Sequence, residues 1–396
     1  MIYFIITIHQ KKIFEGISEK KMKICAIICE YNPFHRGHAK QIAQIRSLFD
    51  EEVCILSLMS GCFVQRGEPA LLPPYDRAKT AIAGGSDLVL ELPYPFSCAP
   101  AEVFAESGVS LLTSLGKVDH LCFGSERESG EAIEACARRL LSKTFEETLS
   151  AFLKMHPDLS FPRAREAVYR SLFQEDFFPT RPNEILAVEY DKALIRQRSA
   201  IRPLCLKREN DGFSATASRA VLRQGGDASS LLPTSVLPLI EQAQKQGGFA
   251  DLQRIESLIL GHFRLSERRD RFFEASSRAE DLPSFFAALA DKNHTAAHDR
   301  REVIHRLCAL DGYEKIPLYT RLLAANRRGR AALKTFDPAF PILTKPAHYT
   351  RLPAEAQKQF LTDLRASRLY ALCLPKGRRN ENLLLASPFI DTTDEA

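Results

Sequence analysis

Lys23-Ile24-Cys25-Ala26-Ile27-Ile28-Cys29 runs without a break into Glu30-Tyr31-Asn32-Pro33-Phe34-His35-Arg36-Gly37-His38. The first seven residues form a short, almost continuous apolar run, the pattern of a strand covered on both faces. The polar segment after it ends where helix-like sequence begins, from Gly37 to about Phe49. The same succession then repeats. Val53 to Leu58, Asp87 to Leu92 and His120 to Phe123 read as further strands. Tyr75 to Ala83, closed by Gly84-Gly85, and Ala101 to Leu115, ending at Gly116, read as the helices between them. Strands alternating with helices predict parallel βαβ units, and so an α/β, Rossmann-like sheet covered on both faces. Ligands of such sheets bind at the carboxyl ends of the strands. The polar clusters fall at those ends: Glu30 to His38, Ser60 to Glu68 and Gly124 to Glu126.

His35 and His38 stand three apart, with Gly37 between them, where a helix is about to start. A helix N-terminus presents unpaired N–H groups and a partial positive charge, which suits an anion. Gly37 would let the backbone approach a phosphate closely, and two imidazoles would place donors along a triphosphate. Donors aimed where charge develops on the α-phosphate stabilise an in-line nucleotidyl transfer. As an isolated string, H-x-G-H is equally a pair of surface histidines in a loop. Its position after the first buried strand favours the nucleotide reading.

Further along, the residues alone leave two readings open at Arg66 and Gly124 and give the other sites a structural one. Arg66 could grip a phosphate or brace its own loop against Glu68. Gly124 could admit the adenosine or merely turn the chain. Asn183 suits the N-cap of a helix from Glu184 to Leu194. Arg208 sits in a charged run, and Ser214 to Arg219 reads as a capped helix start.

Composition narrows the classes. The chain has 396 residues, 45% of them apolar and 26% charged, enough for two or three domains with ample core. No apolar stretch approaches the roughly 18 residues of a membrane span. Ten cysteines without a C-x-x-C pair argue against a disulfide scaffold and a zinc ribbon. Cysteines inside aliphatic runs, at 25, 29, 54 and 122, fit a reducing, cytoplasmic compartment. The apolar run Ile2 to Ile8 lacks the features of a secretory signal, and residues 1–21 read as an extension upstream of a natural start at Met22.

The net charge of +5 becomes informative only when located. Residues 1–225 carry 29 basic and 28 acidic side chains, and residues 226–396 carry 25 and 21. Between Lys315 and Arg351 stand eight basic residues and one acid, with Tyr319 and Tyr349 interleaved. Such a stretch is either a solvated helical face or a set of phosphate contacts; Arg327, Arg328 and Arg330 are its densest part. Gly225 to Ser230 is a plausible junction, after which Leu252 to Arg264, Leu282 to Leu289 and Arg301 to Leu310 read as amphipathic helices. Three segments are expected: an extension over 1–21, a nucleotide-binding catalytic domain over 22–230, and a mainly helical basic domain over 231–396.

CEYNPFHRGH, SGCFVQRGEPA, DLVLELPYPF, CFGSE, RPNEILAVEY and FSATASR follow one another in this order. Together they resemble the tRNA(Met) cytidine acetate ligases, a family of the H-x-G-H nucleotidyltransferase superfamily. The resemblance covers essentially all of residues 22–225 and returns faintly at Asp363 to Tyr370. It implies that ATP, as a substrate, activates acetate to acetyl-adenylate. The acetyl group then passes to N4 of the wobble cytidine of elongator tRNA(Met). It also implies that the nucleotide loop is Ile28, Cys29, Glu30, Tyr31, Asn32, Pro33, Phe34, His35, Arg36, Gly37, His38, Ala39, Lys40 and Gln41, completed by Gly124, Asn183 and Arg208. His35 and His38 are the expected catalytic pair, and Arg66, Arg327, Arg328 and Arg330 the expected RNA contacts. Two positions depart from the family pattern. Where it carries a lysine after Q-R-G-E-P, this chain has Pro73-Pro74-Tyr75, and the glycine after P-N-x-I-L is Ala187.

Mg²⁺ is the expected companion of the leaving pyrophosphate, although no carboxylate cluster suggests a protein-held metal. No membrane and no stable protein partner are expected. Two other functions fit parts of the sequence: an adenylyltransferase acting on a phosphorylated small molecule, and a tRNA-binding protein without catalysis.

Overall fold

The computed structural model describes residues 22–126, 130–174, 177–208, 212–310, 312, 316–380 and 382–393. The extension 1–21 and Lys315 lie outside the described residues. The strand β1 (Lys23–Cys29) leads through α1 (Arg36–Ser47) to β2 (Val53–Ser60), then through α2 (Pro74–Ala83) to β3 (Leu88–Leu92) and through α3 (Ala101–Ser114) to β4 (His120–Ser125). The fifth strand, β5 (Arg202–Lys207), follows three helices and the long helix Pro182–Arg196. In space the order is β5-β4-β1-β2-β3, all parallel.

Alternation along each strand sends its residues into two cores. From β1, Ile24, Ala26 and Ile28 meet Phe104, Val109 and Leu112 of α3 on one face. Cys25, Ile27 and Cys29 meet Ile42 and Ile45 of α1 and Ala78 and Ala81 of α2 on the other. A strand buried on both sides has no polar face, which is why its sequence reads as unbroken apolar. Because β2 and β4 flank β1 on opposite sides, the connections reverse direction between β1 and β4. A crevice opens at such a reversal, beyond the strand ends.

A further strand, absent from the sequence reading, extends the expected parallel sheet. β6 (Thr320–Ala325) comes from the second half of the chain and lies antiparallel against β3. Two short strands, β7 (Ile342–Leu343) and β8 (Phe389–Ile390), pair with β6 in turn. The second half is helix-rich, with Leu282–Leu289 helical over the predicted span. Its chain nevertheless completes the sheet of the first half, so a division at 230/231 does not divide the sheet. Its helices also build a core of Ile259, Phe263, Phe272 and Phe285, which packs against Phe63 and Tyr94 from the loops after β2 and β3. All ten cysteines are free thiols. No described helix is long and apolar enough to cross a membrane.

The β3–β6 junction is held by charge. Arg321 on β6 is wholly buried and donates to the Glu91 carboxylate of β3. It also faces Asp363 of the helix Ala354–Cys373 at 3.0 Å. Tyr319 Oη donates to the same Asp363 carboxylate at 2.9 Å. Replacing Arg321 with Leu would leave two buried carboxylates without their cation. The expected loss is about 3–5 kcal/mol of unfolding free energy, read from urea unfolding of the two proteins side by side.

Candidate active site at the sheet switch point

Beyond Cys29 the chain is fixed before it reaches the histidines. Tyr31, with φ +44, is buried, and its hydroxyl pairs with Ser57 Oγ at 3.0 Å. The Asn32 carboxamide oxygen accepts from the Leu71 amide at 2.7 Å, and Phe34 is fully buried. The peptide bond between Asn32 and Pro33 is cis. Ile28, Cys29, Tyr31 and Phe34 therefore anchor the loop by their side chains. What the loop turns toward the crevice is its backbone and the two histidines.

His35 caps α1. Its Nδ1 accepts from the Gly37 amide at 3.1 Å, while His38 Nδ1 accepts from the His35 amide at 3.2 Å. The two rings stack with centroids 3.7 Å apart. A Cβ at position 37 would stand 2.9 Å from His35 Cε1, so glycine lets the cap form. Since both Nδ1 atoms accept, each neutral ring carries its proton on Nε2. Burial, followed by the neighbouring His35 and Arg208, holds the His38 pKa well below 6.5. The pair is a set of neutral donors at a helix N-terminus. Arg36 turns away, donating to the carbonyls of Leu232 and Ser229, and Lys40 lies over the Phe213 ring. Ala39 and Gln41 are half-buried on the first turns of α1.

The distant expected residues meet this loop. Gly124 at the end of β4 pairs in register with Leu206 of β5, and a Cβ there would come 2.7 Å from Arg208 Cγ. Glycine thus makes room for the Arg208 side chain, which reaches the neighbourhood of His38. The Arg208 amide donates to the Ser125 carbonyl at 2.8 Å. Asn183 is not an N-cap. The helix starts at Pro182 with Arg181 as its cap, whose amide donates to Glu184 at 3.2 Å. The freed Asn183 carboxamide instead donates to Glu126, just past β4. Ala187, where the family pattern has glycine, is buried against the α3 face of the sheet.

Three residues contribute beyond the expected nucleotide and RNA contacts, Arg219 among them from the helix start read at Ser214 to Arg219. Arg219 is carried by the helix Ala215–Arg223 and donates to the Asn32 carbonyl at 2.7 Å. Glu126 orients Asn183. Arg77 on α2 is fully buried, and its guanidinium takes the carbonyls of Glu30, Ser60, Gly61 and Leu72. An arginine on the face otherwise set by Pro74, Ala78 and Ala81 was the visible signal. Glu30 accepts from the Gln65 amide at 3.0 Å. Burial raises its pKa, against the pull of that bond and of Arg219, Arg77 and Arg66.

The expected RNA contacts separate. Arg66 is exposed on the loop after β2, close enough to Glu30 to act on it. It forms no ion pair with Glu68, which faces Arg300 at 3.8 Å instead. Arg327, Arg328 and Arg330 sit on the helix Arg327–Thr335, whose Gly329 packs on the Asp87 carbonyl. That is the amino end of β3, roughly 17 Å along the strand from its carboxyl end at about 3.3 Å per residue. Arg328 pairs with Glu52 and Asp87 at 2.8 and 2.9 Å. Arg327 is exposed and Arg330 half-buried. The expectation of a continuous phosphate-binding stretch is corrected accordingly: Arg321 is core, Arg328 is structural, and Tyr319 is buried rather than a stacking surface. Among the described residues, no three His, Cys, Asp or Glu side chains cluster as metal ligands.

Two outcomes follow from this geometry. Gly124→Ala displaces Arg208, so KM for ATP should rise about tenfold while the melting temperature stays within a few degrees. Protonating His38 would cost it the acceptor that holds the His35 amide. Its folded-state pKa is depressed, so the stabilisation is complete above about pH 6.5 and is lost as the pH falls. His38→Asn should therefore lose less melting temperature than the unmodified chain between about pH 7 and pH 5.

The chain is similar to known proteins along most of its length. Residues 22–383 match the family model described as HIGH Nucleotidyl Transferase. The chain is 30% identical to the tRNA(Met) cytidine acetate ligase of Alkaliphilus metalliredigens, over 93% of this chain and 99% of that protein. It is 31% identical to the protein of the same name from Halothermothrix orenii, over 91% and 98%. Its structure is similar to that of Thermotoga maritima TmcAL bound with alpha-thio ATP, with a TM-score of 0.84, 26% identity, and coverage of 93% and 99%. Matched by the family model along nearly its whole length, and by relatives covered almost end to end, the chain belongs to the tRNA(Met) cytidine acetate ligase family of HIGH nucleotidyl transferases.

Proposed function

We propose that this chain joins acetate to N4 of the wobble cytidine of elongator tRNA(Met) at the expense of ATP. The observation that carries the reading is the stacked, neutral pair His35 and His38 at the N-terminus of α1, facing Arg208 across the β1–β4 crevice. The acetate carboxylate attacks the α-phosphorus, and the bond to the leaving oxygen breaks to release pyrophosphate. Nε2–H donors at the positive end of α1 meet charge as it grows on the phosphate oxygens. The cytidine amine then attacks the acetyl carbonyl, and AMP departs with the electron pair while the amine loses a proton. Glu30, in the same loop, is a carboxylate that can receive that proton, and burial raises its proton affinity.

Mg²⁺ is proposed to arrive with the triphosphate. It would bind through phosphate oxygens and water with few protein ligands, and among the described residues no ligand cluster stands ready to hold it. Arg66 is placed to meet the RNA at the crevice mouth. The chemistry fits a cytoplasmic enzyme with access to tRNA. An intact cap, tautomer and arginine set favour this reading over an RNA-binding protein without catalysis. An adenylyltransferase for a phosphorylated small molecule would use the same loop but leave the tRNA unmodified.

The test is incubation with labelled acetate, ATP and elongator tRNA(Met), followed by nucleoside analysis for N4-acetylcytidine. His35→Ala and His38→Ala should each lower kcat about 10²- to 10³-fold. Acetate-dependent exchange of pyrophosphate into ATP without tRNA acetylation would point to another acceptor, and no exchange at all would remove the ligase reading.

A further inference from the structure

Within the expected basic stretch Arg321 is core and Arg328 is paired at the amino end of β3, which turns attention to exposed cations elsewhere. A groove of about 600 Å³ opens between the end of the helix Ala215–Arg223 and the turn after the helix Leu237–Lys245. Arg223 and Arg254 stand on its walls, and Gln244 and Gly247-Gly248 form one rim. Both arginines are exposed, and neither forms an ion pair with a described residue. The carboxylate in the lining, Asp251, caps the Gln253 amide at 3.0 Å. Phe249 in the floor is buried, so the groove offers cations and a polar rim with no ring to stack on.

Two routes tie this groove to the H-x-G-H loop, and both end on Asn32. The first is the helix Ala215–Arg223. Arg219 holds the Asn32 carbonyl at 2.7 Å, and Arg223 lies one turn further on the same helix face, about 6 Å along its axis. The second is the floor. The Ala250 amide donates to the Leu71 carbonyl at 3.1 Å, and the Leu71 amide donates to Asn32 Oδ1 at 2.7 Å. Arg219 lies near enough to Arg66 and Arg223 for each to lower its pKa, behind the larger effect of burial. A line of guanidinium groups thus runs from the crevice mouth at Arg66, through Arg219, to the groove at Arg223 and Arg254.

We propose that this groove receives the sugar–phosphate backbone of the RNA strand whose cytidine enters the crevice, with Arg223 and Arg254 each neutralising a phosphate. Only the identity of that RNA rests on the acetyl-transfer reading. The contact is to backbone, so it fixes position along the strand and leaves base choice to the crevice.

The experiment compares the full-length chain with the double variant R223Q/R254Q, whose altered side chains are exposed. Affinity for elongator tRNA(Met) is measured at several salt concentrations, and acetate-dependent ATP–pyrophosphate exchange is measured without RNA. The expected result is a roughly tenfold weaker complex, a salt slope shallower by about 1.4, and unchanged exchange. Unchanged affinity and slope would overturn the proposal, as would an equal loss of exchange, which would assign the arginines to the nucleotide. Absence of exchange in the unmodified chain would count against the ligase reading, while the RNA arm would still decide the groove.

Discussion

A guanidinium buried without a carboxylate is an expensive arrangement unless each of its nitrogens donates to a partner. Arg77 meets that condition with backbone alone, taking the carbonyls of Glu30, Ser60, Gly61 and Leu72. These carbonyls lie just past β1, at the end of β2 and just before α2, where two parallel strands release their chains into loops. Parallel neighbours cannot close with a hairpin, so their carboxyl ends would otherwise present unpaired carbonyls to the crevice. One side chain satisfies them and fixes the spacing of the loops that carry Glu30 to His38 and Gln65 to Glu68. The positions of the histidine pair, the Glu30 carboxylate and Arg66 all inherit that spacing.

The two ends of the sheet divide the charge between them. At the amino ends, Asp87 is buried and accepts from the Ile55 amide, Arg46, Asn326 and Arg328, tying α1, β2 and the helix Arg327–Thr335 into one knot. Cations there are matched by acids. At the carboxyl ends, arginines bind carbonyls or stand open, and the Glu30 carboxylate is held toward its neutral form. A crevice with that excess of positive charge attracts a polyphosphate and an RNA backbone alike.

The first four strands were legible because each is buried on both faces, so apolar runs and turn glycines mark their limits with little ambiguity. β5 was not, since Arg202, Pro203 and Lys207 at the edge of the sheet break the apolar pattern. β6 was hidden differently. Its apolar part is only Leu322 to Ala325, its partner β3 is some 230 residues earlier, and it opens with Arg321, which reads as surface charge until Glu91 and Asp363 are seen around it. The site was legible wherever a motif carried it. Asn183 and Arg208 came from resemblance alone, because nothing local distinguishes a cap or a solvated charge from a ligand. The groove of Arg223 and Arg254 had no sequence signature, being assembled from segments that meet only in the fold.

Keeping the histidines neutral follows from the same charge distribution. A cationic His38 would stand beside Arg208 and a stacked His35 in a desolvated site, where like charges a few ångströms apart cost several kcal/mol even at an effective dielectric near 20. Arg208 beside His38 and Arg219 on the Asn32 carbonyl already place guanidinium groups there. Neutral imidazoles add oriented hydrogen bonds whose strength tracks the charge on the oxygens they face. Such donors gain most where charge is greatest, on the transferring phosphate in the transition state, and hold less firmly to the pyrophosphate that must leave. The capping bonds to His35 and His38 thus do two things at once. They start α1, and they commit each Nδ1 as an acceptor so that each Nε2 is the donor.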